Sequence, residues 1–173
     1  MQRGLRGSEL ENLLNRTHLM YRQKNLGLIQ KVPTPITPLQ IDKRNSTITL
    51  GYFDQKSTVD YIGVIQGVPV CFDAKETTAS SLPLANIHNH QIEFMSDFIK
   101  QQGIAFFIIY LKKYNEFYLM PFELCKKFYE GSKNGERKSI PYTIIKDQCY
   151  QILVEADYYI HYLKSLQSYV DSV

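Results

Sequence analysis

The stretch VDYIGVIQGVPVCFDAKETT, residues 59–78, decides the fold. It reads as two β-strands around a Gln66-Gly67 turn, with one acid in each otherwise apolar, half-buried arm. With Ile65 facing Val68, counting back along both arms sets Asp60 opposite Asp73 and Thr58 opposite Lys75. Gly67 suits a tight turn, and Pro69 removes one ladder donor close to it. Side chains directly across an antiparallel pair stand about 4.5–5.5 Å apart at Cβ, and like charges there are destabilising. Something positive is therefore expected between the acids. Lys75 shares a face with Asp73 by the period of two and supplies part of that charge; a hard cation such as Mg²⁺, held by carboxylate oxygens, meets the need better. The bland alternative puts both acids on a wet face, with Lys75 in an ordinary surface ion pair.

Working outward, Ser8 is a helix N-cap and Glu11, three positions on, completes a capping box. Leu10, Leu13, Leu14 and Thr17 then repeat at helical spacing, which predicts a first helix to about residue 24. Gly27 restarts the chain in a short strand, LIQKV. The three prolines of KVPTPITPLQ allow only an edge strand or extended coil. The basic tip IDKRN beside the β-prone STITLGYF predicts a hairpin arm over 36–53. Beyond the quoted hairpin, TASSLPLANIHNH leads to a helix expected from about 87 to 102, which Gly103 stops. IAFFIIYLKK is too apolar for a surface strand, so it is expected at the centre, covered on both faces, with EFYLM paired to it across the KKYN turn. PFELCKKFYE reads as a helix, GSKNGERKSIP as a polar, basic loop, and EADYYIHYLKSLQSYV as a last helix. This order predicts a mixed α/β sheet flanked by helices in one domain spanning 1–173.

Composition limits the alternatives. A chain of 173 residues, 44% hydrophobic, closes one ordinary core and is too short for two comfortable ones. A formal charge of +3 permits an anionic partner without demanding one. Cys71, Cys125 and Cys149 form no CxxC pair and are odd in number, which fits a reducing compartment without a disulfide framework or zinc site. The basic N-terminus lacks the apolar run of a signal peptide and no segment approaches a membrane span, so a soluble cytoplasmic protein is expected.

Two further groups bear on the acids. In the helix from about 87, Gln91 is the polar member of a stripe formed with Ile87, Phe94, Met95 and Phe98. A buried amide must find a partner: it caps a strand carbonyl or turns its oxygen toward a metal. Glu11 has a sufficient role in the capping box, yet it borders the Leu10 and Leu14 face and could reach the sheet. His88 and His90, two apart, are expected to point away from each other on a helix and so to face the loop or a phosphate rather than to form a metal pair.

STVDYIGV, CFDAKET and PLANIHNHQIEFM, in that order, resemble the PD-(D/E)xK nuclease core, and in particular the RecU-type Holliday junction resolvases of bacteria and their phages. RGSELENLLNRTHLMYR and KVPTPI are similar to that family's opening helix and proline-marked strand, and RKSIP to a later segment, so the likeness covers most of the chain. It implies a restriction-endonuclease-like mixed sheet with a projecting β-ribbon stalk at 36–53. It implies that Thr58, Asp60, Asp73 and Gln91 bind Mg²⁺, with Mn²⁺ as a substitute, that Lys75 stabilises the transition state, and that Glu11 is an acid near the site. Lys43, Arg44 and Phe53 fall in the ribbon that enters the junction centre. Further candidates for the phosphate grip are Lys31, Lys56, Arg137 and Lys138, with Arg3, Arg6 and Arg16; each also reads as a solvated charge. The implied activity is Mg²⁺-dependent resolution of four-way DNA junctions by paired symmetric nicks, during recombination and repair. The implied partners are branched DNA, a second copy of the chain and recombination proteins. Asp73 stands where relatives commonly carry Glu, a shorter arm that the broader motif also accepts, and the short N-terminus lacks a leader found in some relatives. A DNA-binding or scaffolding module that keeps the fold without the chemistry, and another nuclease of the same core, are the competing readings.

Overall fold

The computed structural model describes residues 8–53, 58–155 and 158–172. Helix α1 (Glu9–Gln23) starts where the sequence places it: the Ser8 side chain accepts the Glu11 N–H at 3.2 Å. Its buried face is Leu10, Leu14, Thr17, His18 and Tyr21, the spacing of one helical stripe. The Glu11 carboxylate, read as the other half of a capping box, turns instead to the Lys31 ammonium.

Strand β1 (Leu28–Lys31) follows, then β2 (Ile36–Asp42) and β3 (Thr47–Phe53), which pair antiparallel as a separate two-stranded ribbon. Its register shifts just beyond Pro38, a residue that cannot donate to the ladder. Strands β4 (Tyr61–Ile65) and β5 (Val68–Thr77) form the quoted hairpin, and Ile65 does face Val68. Gln66 and Gly67 both carry positive φ, 49° and 85°, the two left-handed positions of a tight hairpin turn.

After a short strand β6 (Ser81–Pro83) and a 3₁₀ turn (Leu84–Asn86), helix α2 (Asn89–Lys100) carries the chain over to β7 (Ile104–Leu111), parallel to β5. Strand β8 (Glu116–Pro121) returns antiparallel, and helix α3 (Phe122–Lys133), strand β9 (Ser139–Pro141), helix α4 (Tyr142–Gln148), strand β10 (Tyr150–Ile152) and helix α5 (Leu163–Val170) complete the order. The mixed sheet of six strands runs β1-β4-β5-β7-β8-β10.

The period of two divides the core between its faces. Ala105, Phe107, Ile109 and Leu111 of β7 pack with Met95, Cys125 and Ile145 of α2, α3 and α4. Phe106, Ile108 and Tyr110 pack with Leu10 and Leu14 of α1 and with Tyr162 and Leu166 near the C-terminus. The central position expected for IAFFIIYL follows, since both sets are buried. At about 1.5–3 kcal/mol per buried Phe or Ile, this one strand supplies much of the drive that holds the sheet between its helices.

Three expectations are corrected. Helix α2 starts at Asn89 rather than near 87, because Ile87 is extended and buried in the core and His88 is the N-cap. The stretch read as a wholly polar loop, 131–141, begins inside α3 and ends in β9, which pairs with β6. The last helix covers only Leu163–Val170; ahead of it Ile160 is buried in a bend, its N–H held by Thr17 Oγ1 of α1 at 3.0 Å rather than by a helical carbonyl. Among the described residues no helix is long and apolar enough to cross a membrane.

Candidate active site

The β4–β5 ladder ends at the pair Tyr61 and Phe72. One step further, where backbone carbonyls would continue it, two carboxylates take over. The Asp60 N–H donates to Asp73 Oδ1 at 3.0 Å, and the Ala74 N–H donates to Asp60 Oδ2 at 2.9 Å. Asp60 and Asp73 are thus locked against each other at the point where the strands part, and Asp73 is fully buried. Burial, and then the Asp73 charge beside it, push the Asp60 carboxyl up to about 6; the Ala74 N–H and the Lys75 ammonium pull the other way. Thr58 lies half-buried two residues before Asp60, outside the ladder that was expected to pair it with Lys75.

Asp73 Oδ2 receives both other partners. The Lys75 ammonium, on the same face of β5, forms an ion pair with it and is itself only 15% exposed. Gln91 Nε2 donates to the same oxygen at 2.9 Å, while Gln91 Oε1 accepts the His88 N–H at 3.0 Å. The amide is therefore oriented by the first turn of α2, and it faces Asp73 with its nitrogen. Neither alternative read for it from sequence describes this: it caps no strand carbonyl, and its oxygen is spent on the helix N-terminus.

The surrounding elements brace this pair. Val32 N–H donates to the Asp60 carbonyl at 2.8 Å, and Lys31 is in register with Tyr61. The Tyr61 hydroxyl donates to Asn15 Oδ1 at 3.0 Å, tying the strand next to Asp60 onto α1. Glu11 stands on α1, in its ion pair with Lys31. Among the described residues no three His, Cys, Asp or Glu side chains converge as a metal cage, so Glu11 does not join the two aspartates in one cluster.

His88 and His90 do not diverge: their rings stack at 5.4 Å with 14° between planes, because His88 lies outside the helix as its N-cap. Lys43 and Arg44 are exposed at the ribbon tip, where Asp42 Oδ1 accepts the Arg44 N–H at 2.9 Å. Phe53 is 74% exposed at the ribbon's other end. Arg16 lies over the Tyr159 ring, and Arg137 and Lys138 are exposed ahead of β9. Lys56, Arg3 and Arg6 lie outside the described residues.

Glu76 was missed. Its Oε2 accepts the Leu10 N–H at 3.0 Å, and its Oε1 meets Lys112 at 2.9 Å, which also reaches Glu9 at 3.3 Å. This fastens the first turn of α1, and with it Glu11, to the end of the strand that carries Asp73 and Lys75. The signal was the period of two: Glu76 follows Lys75 and so emerges on the other face, the one covered by α1.

Residues 5–168 match the family model described as Recombination protein U. A Pediococcus pentosaceus protein named Holliday junction resolvase RecU is 40% identical over 98% of this chain and 87% of its own length. Proteins of the same name from Listeria welshimeri and Oceanobacillus iheyensis are 39% and 42% identical over 95% and 83% of the chain, and 84% and 75% of their own. A solved structure of Archaeoglobus fulgidus Hjc, described as a Holliday junction resolvase, aligns with a TM-score of 0.48 and 12% identity over 81% of this chain and 92% of that one. By the family match and these near full-length relatives, the chain belongs to the RecU family, Recombination protein U.

Proposed function

We propose that the chain is a divalent-metal-dependent endodeoxyribonuclease that resolves four-way DNA junctions by paired, symmetric nicks. The observation that carries this is the reciprocal lock of Asp60 and Asp73 with the Lys75 ammonium on one of its oxygens. Family membership and the relatives' name, Holliday junction resolvase, support the same reading.

The donor set fits a hard divalent cation. Two carboxylates share one site, one of them fully buried, with a single ammonium to balance them, and burial first and the neighbouring Asp73 charge second raise the Asp60 carboxyl. Oxygen donors of this kind suit Mg²⁺ or Mn²⁺. Asp60 and Asp73 would hold the ion, with Thr58 beside them; Gln91 acts through Asp73, fixing which oxygens remain available. When bound, such an ion supplies Lewis-acid charge at the scissile phosphate and makes an attacking water more acidic. The chain's own residues do the rest. Lys75, anchored on Asp73, places a positive charge where negative charge develops on the phosphoryl group. Asp73, held by three donors, cannot swing away as the phosphate approaches.

Two symmetric cuts need two sites related by a two-fold axis, which is a homodimer with one site per subunit. We assign one nuclease domain with the ribbon at 36–53 as its junction-entering stalk, working in the cytoplasm on branched DNA with recombination proteins. The test is a synthetic four-way junction with and without Mg²⁺. Nicks at opposed positions are expected from the native chain and none from Asp60→Ala or Lys75→Ala, with binding retained. Intact cleavage by either variant overturns the reading, and equal cleavage of linear duplex, flap and junction makes it a nuclease of another specificity.

A further inference from the structure

A groove runs along the outer side of β1, between that edge strand and α1. It consists of two adjoining cavities of about 430 and 500 Å³ that share Arg22 and Leu28. The first reaches Lys31, the second the Gln66-Gly67 turn. Its inner end lies beside the strand end that carries Asp60, since Lys31 is in register with Tyr61 and the Val32 N–H donates to the Asp60 backbone carbonyl.

The lining is selective. Between the apolar Leu19, Leu26, Leu28 and Ile29 it offers the cations Arg22 and Lys31 and the amides Asn15, Asn25 and Gln30, and neither cavity is lined by Asp or Glu. Two other surface cavities differ in this respect: one includes Glu155, the other Glu93, Asp97 and Glu130. Lys31 is partly neutralised by Glu11. Arg22 is exposed, and among the described residues no carboxylate stands within ion-pair distance of it. As the edge strand, β1 also turns one row of backbone groups toward this groove rather than to a neighbour.

We propose that this groove holds the backbone of one DNA strand as it leaves the catalytic carboxylates, with Arg22 as its uncompensated phosphate contact. The dimensions agree. Strand β1, Leu28–Lys31, is roughly 10 Å long at about 3.3 Å per residue, and the groove continues past it to the Gln66-Gly67 turn, long enough for a few phosphates of one strand. Arg22 sits midway, and its guanidinium fork suits phosphate oxygens. A cation in the last turn of α1 also complements the helix dipole. That role changes stability but not the dependence of DNA binding on salt.

The proposal rests on the endonuclease reading only for where the strand leads. Binding of the full chain to a four-way junction and to a linear duplex is measured in EDTA across a salt series, for the native protein and for Arg22→Ala, Arg22→Lys and Arg22→Glu. Arg22→Ala is expected to weaken binding several-fold and to lower the slope of log K against log salt by about 0.9, the loss of one phosphate contact. Arg22→Lys should keep the slope, and Arg22→Glu should weaken binding more than tenfold. A photo-crosslinking residue at Leu19, which is 62% exposed in the groove, should join to DNA. Unchanged affinity and slope in Arg22→Glu, or an effect confined to its melting temperature, overturn the proposal. Junction cleavage with Mg²⁺ is scored separately. A native chain that fails to cleave but loses slope with Arg22→Ala leaves the groove standing and the resolvase reading fallen; cleavage with an unchanged slope does the reverse.

Discussion

Two hairpins in this chain, β4–β5 and β2–β3, have opposite surroundings. The β4–β5 hairpin lies inside the six-stranded sheet, and the two aspartates at its open end are held in place by backbone and side-chain partners. Among the described residues the β2–β3 ribbon pairs only with itself. Its apolar residues are Leu39 and Ile41 of β2 and Ile48, Leu50 and Tyr52 of β3; Ile41 pairs directly with Ile48, while Leu50 stands opposite Gln40 between two register shifts. Those five side chains are 51–62% exposed. A hairpin embedded in a sheet can bury charge and hold it rigidly; one that stands apart leaves its apolar side chains uncovered and depends on something else to order it. The first suits chemistry and the second suits contact.

The largest effect that tests this contrast is at Asp73. Asp73→Asn keeps the shape but removes the charge shared by Lys75 and Asp60, so single-turnover junction cleavage should fall at least about a thousandfold with the melting temperature moved only a few degrees. Cleavage within tenfold of native would mean that the embedded hairpin is not the chemical centre. Next comes Gln91→Ala, which strips the bridge from the His88 N–H to Asp73. The expected loss is about tenfold in cleavage and on the order of 1–2 kcal/mol in stability, since a buried carboxylate loses a donor. Equal loss of activity with no change in stability would place Gln91 on the substrate rather than behind Asp73.

Much of this embedded hairpin was legible before the fold was known. A two-residue turn at Gln66-Gly67 fixes the partners from Ile65–Val68 to Tyr61–Phe72, and one step further counting brings Asp60 beside Asp73, though not Thr58 to Lys75, where the ladder has ended. The first helix and the central strand were equally open, because a cap and a continuous apolar run are local signals. What stayed hidden depended on distant contacts. β6 and β9 are three residues each, both ending in proline, and exist only because they find each other across the chain. Gln91 could be marked as a buried amide, but its orientation is set by the N-cap His88 of a helix that begins two residues after the expected start. Glu76 needed knowledge of which helix covers its face.

A smaller effect probes burial without chemistry. His18 sits in α1 with Nε2 3.1 Å from the Tyr162 hydroxyl and edge-on to Tyr61 and Phe72. Burial lowers its pKa to about 3 from 6.5. A depressed folded pKa means that the unfolded chain binds the proton first, so the stability is present above pH 6.5 and is lost as pH falls toward 3. By pH 5 the loss is about 2 kcal/mol at roughly 1.4 kcal/mol per unit. Denaturant titrations of the native chain and His18→Gln at pH 7.5 and 5 should show this difference between them, a comparison in which the other titrating groups cancel. Parallel pH dependence in the two would mean that His18 is hydrated and outside the core.

The smallest effect belongs to the ribbon. Ile41 and Ile48 face each other across its strands, so the double change Ile41→Thr and Ile48→Thr keeps β-branched side chains at a cross-strand pair while removing apolar surface that is already half in water. Melting of the free chain should shift by no more than about 0.5 kcal/mol in stability, as for an ordinary surface substitution. The same change made inside the sheet, for instance Ile108→Thr, puts a hydroxyl into a fully buried site and should cost several times more. If the ribbon substitutions were as costly as the core one in the free, dilute chain, the ribbon's apolar side chains would already be covered there, and the contrast between the two hairpins would lie in their partners rather than in their exposure.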